Sequence, residues 1–191
     1  MRPKEELIIM AKKIGVLVGS LRKDSYNRII AEKVIDLLPE GYEGEVVEVG
    51  QLPIYNQDYD MNEPAEYKEF RSKIEGFDAF IFQSPEYNRS YSPAIKNAID
   101  IASRPMGENR WNGKPVAIFT ASMGPTGGFG ANHHLRQVTT VLNMPLLSSP
   151  EVYIGGVHTL IDEQGQIAED TVAFLKTAVE AYIKHIDLYI K

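Results

Sequence analysis

Short apolar runs alternate with longer amphipathic segments along most of this chain. Residues 14–19 are apolar at every position that is not glycine, which is typical of a strand buried on both faces of a parallel sheet. Four further strands are predicted at 45–49, 77–82, 115–121 and 146–153; the first of these alternates loosely, with Val46, Val47 and Val49 apolar, and the last is less regular. The pattern therefore predicts five strands.

The segments between these runs carry apolar residues at helical spacing. A first helix is predicted to begin near Tyr26, because apolar residues follow at positions 30, 34, 37 and 38. The second helix is predicted to have Pro64 as its first residue and to end at Gly76. Ser92 is predicted to cap the third helix. Apolar residues at helical spacing predict two more helices, around 135–142 and 172–186.

Strand and helix alternate five times, which predicts an α/β domain with a parallel sheet. The chain length and the number of strands fit a flavodoxin-like, doubly wound, five-stranded sheet of order 2-1-3-4-5 with helices on both faces. We expect residues 10–191 to form this single domain. Residues 1–9 are predicted to be an N-terminal extension, since Met10 would itself make a plausible start.

Composition narrows the function classes. Of the 191 residues, 20 are basic and 26 acidic, and the formal net charge of −6 argues against nucleic-acid binding. No apolar run approaches 18 residues, so no membrane association is expected. Without a signal peptide, the expected location is cytoplasmic. The chain contains no cysteine, which excludes thiol and iron–sulfur chemistry, so any redox reaction needs a bound cofactor.

Three loops rich in Gly, Ser, Asn and Pro follow predicted strands one, three and four, at 19–27, 83–91 and 122–130. Carboxyl ends of parallel strands share one edge of a sheet, where ligands bind beside the point at which strand order reverses. We therefore expect the three loops to converge on one ligand site. A fourth connection, over 51–63, is unusually long, which favours a functional or interface role.

The loop after the first strand combines polar side chains with a helix N-terminus, which is a favourable site for an anion. Ser20, Ser25 and Asn27 offer neutral hydrogen-bond donors, and Arg22 offers a positively charged guanidinium group that can donate two parallel hydrogen bonds. The inferred ligand is a phosphate group. The alternative is that Asp24 and Ser25 only cap the helix and that Arg22 is a solvated surface charge.

The sequence lacks both common phosphate-binding motifs at this loop, Gly-x-x-x-x-Gly-Lys-Ser/Thr and Gly-x-Gly-x-x-Gly. Glu48, which follows the second strand, is therefore interpreted as an ordinary surface residue. The loop after strand three offers an aromatic ring and a backbone stiffened by Pro85, and the glycines after strand four allow close approach of a flat ligand. A phosphate at one end and a planar heterocycle at the other describe flavin mononucleotide (FMN).

These residues resemble a known family. Gly19-Ser20-Leu21-Arg22-Lys23-Asp24-Ser25-Tyr26-Asn27 is similar to the Gly-Ser-x-Arg-x-x-Ser-x-Asn signature of the NADPH-dependent FMN reductases. Pro85-Glu86-Tyr87-Asn88 with Ser92-Pro93, and Ser122-Met123-Gly124 with Gly127-Gly128, are similar to the second and third signatures of that family. The family has the flavodoxin-like fold and includes quinone, azo-dye and chromate reductases.

The resemblance implies a role for each matched position. The FMN phosphate would contact Ser20, Arg22 and Asn27 and the backbone around Ser25 and Tyr26. The isoalloxazine ring would lie between two groups of residues, which are Pro85, Glu86, Tyr87 and Asn88 on one side and Ser122, Met123 and Gly124 on the other. For Glu86 an alternative stays open, in which only its backbone is used and its carboxylate lies in solvent.

The resemblance also implies the reaction. Hydride would pass from NADPH or NADH to FMN, and then to a quinone, azo, flavin or metal-oxyanion acceptor in a ping-pong sequence. Because the cofactor supplies the chemistry, no side chain is predicted to be catalytic. Members of the family are usually homodimers or homotetramers, and either state is expected here.

The sequence also allows other functions on the same fold to be compared with this one. A flavodoxin-type electron carrier would bind FMN without reacting with nicotinamide, but Arg22 and the modest net charge argue against it. A phosphorylated receiver domain would need acidic residues at the ends of strands one and three, where Gly19-Ser20 and Gln83-Ser84 stand instead. His133 and His134 are adjacent and cannot share a helix face, so no metal site is predicted.

Overall fold

The computed structural model describes residues 11–190, so the predicted extension over residues 1–9 lies outside the described residues. Five strands form one sheet in the order 2-1-3-4-5, and every neighbouring pair is parallel. The predicted fold class and strand order are therefore confirmed. The strands are β1 (Lys12–Val18), β2 (Tyr42–Val47), β3 (Ala79–Ser84), β4 (Val116–Ala121) and β5 (Val152–Ile154).

Helices cover both faces of the sheet, as predicted. They are α1 (Tyr26–Asp36), α2 (Ala65–Glu75), α3 (Pro93–Ala102), α4 (Phe129–Val141), α5 (Val157–Leu160) and α6 (Glu169–Tyr189). Buried side chains of α1, α5 and α6 pack on one face, and those of α2, α3 and α4 pack on the other. Within residues 11–190, none of these helices is both long and apolar enough to cross a membrane.

Aromatic side chains pack closely on the face of the sheet that α2, α3 and α4 cover, and they hold the centre of the sheet in place. Trp111 is fully buried, and its ring meets those of Phe80 and Phe82 edge-on at centroid distances of 4.8 and 5.8 Å. Its indole Nε1 donates to the carbonyl of Ile99 at 3.1 Å. Such edge-to-face contacts add to the free energy of burial. The strand ends that carry the loops therefore rest on a well-packed core.

Strand boundaries differ from the predicted ones because backbone pairing, not hydropathy, sets them. β2 begins earlier than predicted, where Tyr42 pairs with Lys12, and ends at Val47. β3 begins two residues later than predicted, although Phe77 before it is buried. β3 also continues through Gln83, a polar residue that hydropathy placed in the loop.

The last predicted strand is much shorter than its apolar run. β5 covers only Val152–Ile154, and Leu146 makes an isolated bridge to Val116. The sequence pattern also did not predict the short helix α5 that follows. Pro64 precedes α2 as its capping residue instead of forming its first turn.

The long connection 51–63 is anchored to two helices. It contains a short 3-10 helix, Gln57–Tyr59. The backbone N–H of Tyr55 donates to Asn97 Oδ1 at 2.7 Å, and the Asn97 amide donates to the Pro53 carbonyl at 3.0 Å. Arg71 of α2 forms an ion pair with Glu63 at 2.6 Å. This segment therefore has a defined conformation beside the carboxyl ends of the strands.

Gly15 of β1 gives a test of the packing. A Cβ at this position would lie 2.7 Å from the ring of Phe80, which is fully buried and held by neighbouring aromatic rings. We expect Gly15→Ala to lower the free energy of unfolding by about 1–3 kcal/mol, as overpacking does, in urea denaturation. Gly76→Ala is the matched control, because its Cβ would meet nothing closer than 3.4 Å. Equal stability of the two variants would contradict this packing.

Candidate functional site

The loops after β1, β3 and β4 meet in one cleft at the carboxyl ends of these strands. Its volume is about 480 Å³. Ten of the twelve predicted site residues line it, namely Ser20, Arg22, Tyr26, Asn27, Pro85, Glu86, Tyr87, Ser122, Met123 and Gly124. Ser25 and Asn88 are not among the lining residues. The convergence expected from strand order is therefore present in the structure.

The first loop ends at the N-terminus of α1, which forms one end of the cleft. Ser25 caps this helix, and its buried hydroxyl accepts a hydrogen bond from the Arg28 N–H at 3.2 Å. The capping interpretation of Ser25 is thus correct for its side chain. The N-terminus of α1 carries a partial positive charge. No acidic residue lies in the first turn, although Asp24 directly precedes the capping residue Ser25.

Arg22 adds a full positive charge at this end. Its guanidinium lies over the ring of Tyr26, 6.0 Å from the centroid, within the range of a cation–π contact. Among residues 11–190, Arg22 has no ion-pair partner. Glu48, in contrast, is paired with Arg28 at 2.5 Å. The charge of Arg22 therefore remains available to an anion in the cleft.

Buried hydrogen bonds connect the strand ends beneath the cleft. Asn27 Nδ2 donates to the carbonyl of Ala121 at 3.3 Å, and Gln83 Nε2 donates to Asn27 Oδ1 at 2.8 Å. Ser92 Oγ donates to the Gly19 carbonyl at 2.6 Å. These bonds connect the loop after β1 to β3, β4 and the start of α3. They fix the relative positions of the loops.

The second loop turns sharply beside the cleft. Tyr87 and Ser90 exchange two backbone hydrogen bonds of 2.8 and 3.0 Å. Asn88 and Arg89, between them, have φ values of +50° and +68°, the left-handed conformation of a type I′ turn. The turn places Arg89 in the cleft lining and leaves Asn88 out of it. Arg89 was not among the predicted site residues, since no glycine follows Asn88 to indicate this turn.

Glu86 connects the second loop to α4. Its side chain is only 11% exposed, and Oε2 accepts a hydrogen bond from the N–H of Ala131 in the first turn of α4 at 3.2 Å. Arg89 lies 3.6 Å from the other carboxylate oxygen. The alternative in which this carboxylate lies in solvent is therefore wrong. The carboxylate instead satisfies a backbone N–H at a positive helix end.

The third loop packs tightly against the connection that follows β5. The backbone N–H of Ser122 donates to the carbonyl of Ile154, the last residue of β5, at 3.0 Å, and the Ser122 carbonyl accepts from the N–H of Val157 at 3.1 Å. Gly127 has φ +62°, and a Cβ there would lie 2.7 Å from the backbone of Tyr153. Met123 remains 59% exposed at the mouth of the cleft. The lining contains four further residues that were not predicted, which are Ala121, Pro125, Thr126 and Val157.

The two adjacent histidines of α4 take part in separate polar contacts. His134 Nδ1 lies 3.0 Å from Ser90 Oγ, and His133 Nε2 lies 3.2 Å from the hydroxyl of Tyr153. Burial and a hydrogen bond to Glu151 raise the pKa of Tyr153 to about 12, so its hydroxyl stays protonated near neutral pH. In the described part of the chain, no three His, Asp or Glu side chains are grouped to hold a metal ion.

Comparison with known proteins identifies the family. The family model for NADPH-dependent FMN reductase matches residues 12–159. The chain belongs to the NADPH-dependent FMN reductase family. It is 44% identical over 176 residues to a quinone reductase of Pseudomonas putida. The aligned residues cover 92% of this chain and 95% of that protein. A 2-hydroxy-1,4-benzoquinone reductase of a Burkholderia species is 42% identical, over 91% of this chain and 95% of its own length.

A solved structure supports the same conclusion. The flavoenzyme NAD(P)H:(acceptor) oxidoreductase FerB of Paracoccus denitrificans superposes with a TM-score of 0.86 and 36% identity, covering 94% of this chain and 99% of its own. The resemblance to the FMN reductase family is confirmed. As a family member, the chain is an FMN-dependent oxidoreductase that uses a nicotinamide nucleotide. The electron-carrier alternative is not favoured.

The contact of Glu86 with α4 can be tested by stability measurements on the protein without cofactor. We expect Glu86→Ala to lower the free energy of unfolding by about 1–2 kcal/mol, as the loss of a helix-capping acceptor does. Glu86→Gln keeps an acceptor oxygen and should lose less. Glu69→Ala, on the exposed side of α2, is the control and should change stability little. If Glu86→Ala were as stable as this control, the contact would not contribute.

Proposed function

We propose that this protein is a quinone reductase, in which residues 10–191 act as one FMN-binding domain. The observation that carries the proposal is the cleft at the carboxyl ends of β1, β3 and β4, where hydrogen-bond donors of the first loop face the same space as residues of the second and third loops. Its volume of about 480 Å³ lies within the range of small-molecule sites. Relatives named as quinone reductases, at 42–44% identity, support the acceptor class.

The α1 end of the cleft suits a phosphate group. Ser20 and Asn27 offer side-chain donors, Arg22 offers an unpaired charge, and the free N–H groups of the first turn around Ser25 and Tyr26 complete the donor set. Glu86 also lines the cleft, but its carboxylate accepts a hydrogen bond from the N–H of Ala131 in α4 and lies 3.6 Å from Arg89. The donor set therefore fits a dianionic phosphate, which we assign to FMN.

The other end suits a flat ring system. Pro85, Glu86 and Tyr87 form one wall, with Asn88 behind the turn, and Ser122, Met123 and Gly124 form the other. We propose that the isoalloxazine ring of FMN lies between these walls. Arg89 adds a positive charge beside it, paired in part with Glu86. The tight packing of Gly127 and the hydrogen bonds of Ser122 hold the second wall in place.

Bound FMN would supply the chemistry, because flavins accept and donate hydride. The protein would supply position, holding NADPH or NADH and then the acceptor against the exposed ring face. Tyr87 is 43% and Met123 59% exposed at the mouth, which leaves room for a small planar acceptor. We propose a quinone acceptor in a ping-pong sequence. Azo compounds, free flavins and metal oxyanions are further acceptors that we propose to test alongside quinones.

We also propose that the protein is a cytoplasmic homodimer or homotetramer. Several large apolar side chains are exposed, including Leu21 at 59%, Ile54 at 78% and Met61 at 96%. Leu21, Ile54 and Tyr87 also line a second cleft of about 420 Å³ that shares Arg22 with the first. Exposed apolar groups of this extent are typical of surfaces that a second subunit covers.

The direct test is the visible spectrum of the purified protein with FMN under anaerobic conditions. We expect FMN to bind, its absorption to bleach on addition of NADPH or NADH, and the oxidised spectrum to return when one equivalent of a benzoquinone is added. Bound FMN that stays oxidised with both nucleotides would indicate an electron carrier. Failure to bind FMN would overturn the proposed site.

Arg22 gives a test of the phosphate end. Arg22→Ala removes a charged donor, so we expect the affinity for FMN to fall by roughly tenfold to a hundredfold. Riboflavin, which lacks the phosphate, should bind about equally to the variant and the wild type. Lys23→Ala is the matched control, since Lys23 is a neighbouring cation outside this cleft. Flavin fluorescence titration measures all of these affinities. Unchanged FMN affinity would remove Arg22 from the site.

A further inference from the structure

The buried amides of Asn27 and Gln83 have one consistent orientation. The Asn27 side chain approaches the carbonyl oxygen of Ala121, which can only accept a hydrogen bond, so Nδ2 and not Oδ1 must face it at 3.3 Å. Oδ1 is then left to accept the hydrogen bond from Gln83 Nε2 at 2.8 Å. Turning both amides over would set Asn27 Oδ1 against the Ala121 carbonyl. The two contacts together therefore define the orientation.

This orientation leaves a donor free. The Asn27 amide nitrogen carries two hydrogens, and the only acceptor it meets among residues 11–190 is the carbonyl of Ala121. Asn27 is 5% exposed, and it lines the cleft at the end where α1 begins. Its second N–H is therefore the group that Asn27 can offer to a ligand there. The amide oxygen is already occupied by Gln83.

Gln83 itself is in an unfavourable place for a polar residue. It is fully buried at the end of β3, and its own Oε1 has no hydrogen-bond partner within the described structure. A buried acceptor without a partner lowers stability. An apolar side chain of similar length would avoid this loss. An apolar side chain could not, however, donate a hydrogen bond to Asn27 Oδ1, as Gln83 does.

We propose that Gln83 is a positioning residue that makes the cleft selective for a phosphorylated flavin. It does so by holding the Asn27 amide with its nitrogen, and not its oxygen, available to the phosphate. The inference rests on the proposed function, because it takes the α1 end of the cleft as the phosphate end. Without Gln83, only the long hydrogen bond to Ala121 would orient Asn27. The amide oxygen could then turn toward the phosphate and repel it.

The test compares FMN with riboflavin, which differs only by the phosphate. Gln83→Met keeps the length of the side chain and removes its donor. We expect this variant to bind FMN roughly tenfold more weakly, as the loss of a hydrogen bond to a charged group does, and riboflavin with less than about a twofold change. A merely structural role would weaken both ligands equally. Equal loss, or no loss, would overturn the proposal.

A double-mutant cycle tests whether Gln83 acts through Asn27. In an Asn27→Ala background, Gln83→Met should leave the ratio of FMN to riboflavin affinity unchanged, because the amide that Gln83 orients is gone. A selectivity loss that persists in this background would show that Gln83 acts in another way, and would overturn the proposal.

A second measurement needs no Gln83 variant and covers the case in which Gln83→Met does not fold. In wild-type protein labelled with ¹⁵N, the Asn27 side-chain NH₂ signal should shift strongly with FMN and only weakly with riboflavin. Similar shifts with both ligands would overturn the proposal. If the wild type bound no flavin, the proposed function itself would fail. Flavin binding with unaltered selectivity in Gln83→Met would refute only the role of Gln83.

Discussion

The site depends on buried hydrogen bonds that join the ends of adjacent strands. Parallel pairing brings the carboxyl ends of β1, β3 and β4 to one edge of the sheet, but pairing alone does not fix the loops that follow. Gln83, Asn27 and the carbonyl of Ala121 connect these ends through two hydrogen bonds. In a buried setting such bonds are costly to leave unmade. These bonds therefore fix the relative positions of the strand ends that carry the three loops.

A second connection, between Glu86 and α4, relates the two walls of the cleft. The Glu86 carboxylate belongs to the loop after β3, and the N–H of Ala131 belongs to the helix after the β4 loop. Gly130 allows this contact, because a Cβ there would lie 2.6 Å from the carbonyl of Arg89. The loop after β3 is thus held against the N-terminus of α4 by a hydrogen bond that a glycine permits.

Much of this arrangement could be predicted from the sequence. The five strands, their order and the convergence of three loops follow from hydrophobic runs and from the rule that ligands bind at the reversal of strand order. The motif around Ser20, Arg22 and Asn27 brought together residues that do line one cleft, and their contact with an anion stays a prediction. The predicted strands, strand order and loop convergence were confirmed because they rest on local pattern and on chain topology.

The remainder depends on contacts between residues far apart in the chain. Arg89 enters the cleft because of a turn with two left-handed residues and no glycine. Val157 enters it from a short helix after β5, which has no clear sequence pattern. Backbone pairing with β1 extends β3 through Gln83, although the polarity of that residue predicted a loop. Neither the role of Ser25 as a cap nor the use of the Glu86 carboxylate could be decided without the positions of their partners.

The most direct test of the account is a crystal structure of the protein with FMN. We expect the phosphate within hydrogen-bond distance, about 3 Å, of Ser20, Arg22 and the first N–H groups of α1. We also expect the ring between Tyr87 and Met123, and the side-chain amide of Asn27 beside the phosphate. A phosphate bound elsewhere, or a ring outside the two walls, would contradict the central claim that three strand-end loops form one mononucleotide site.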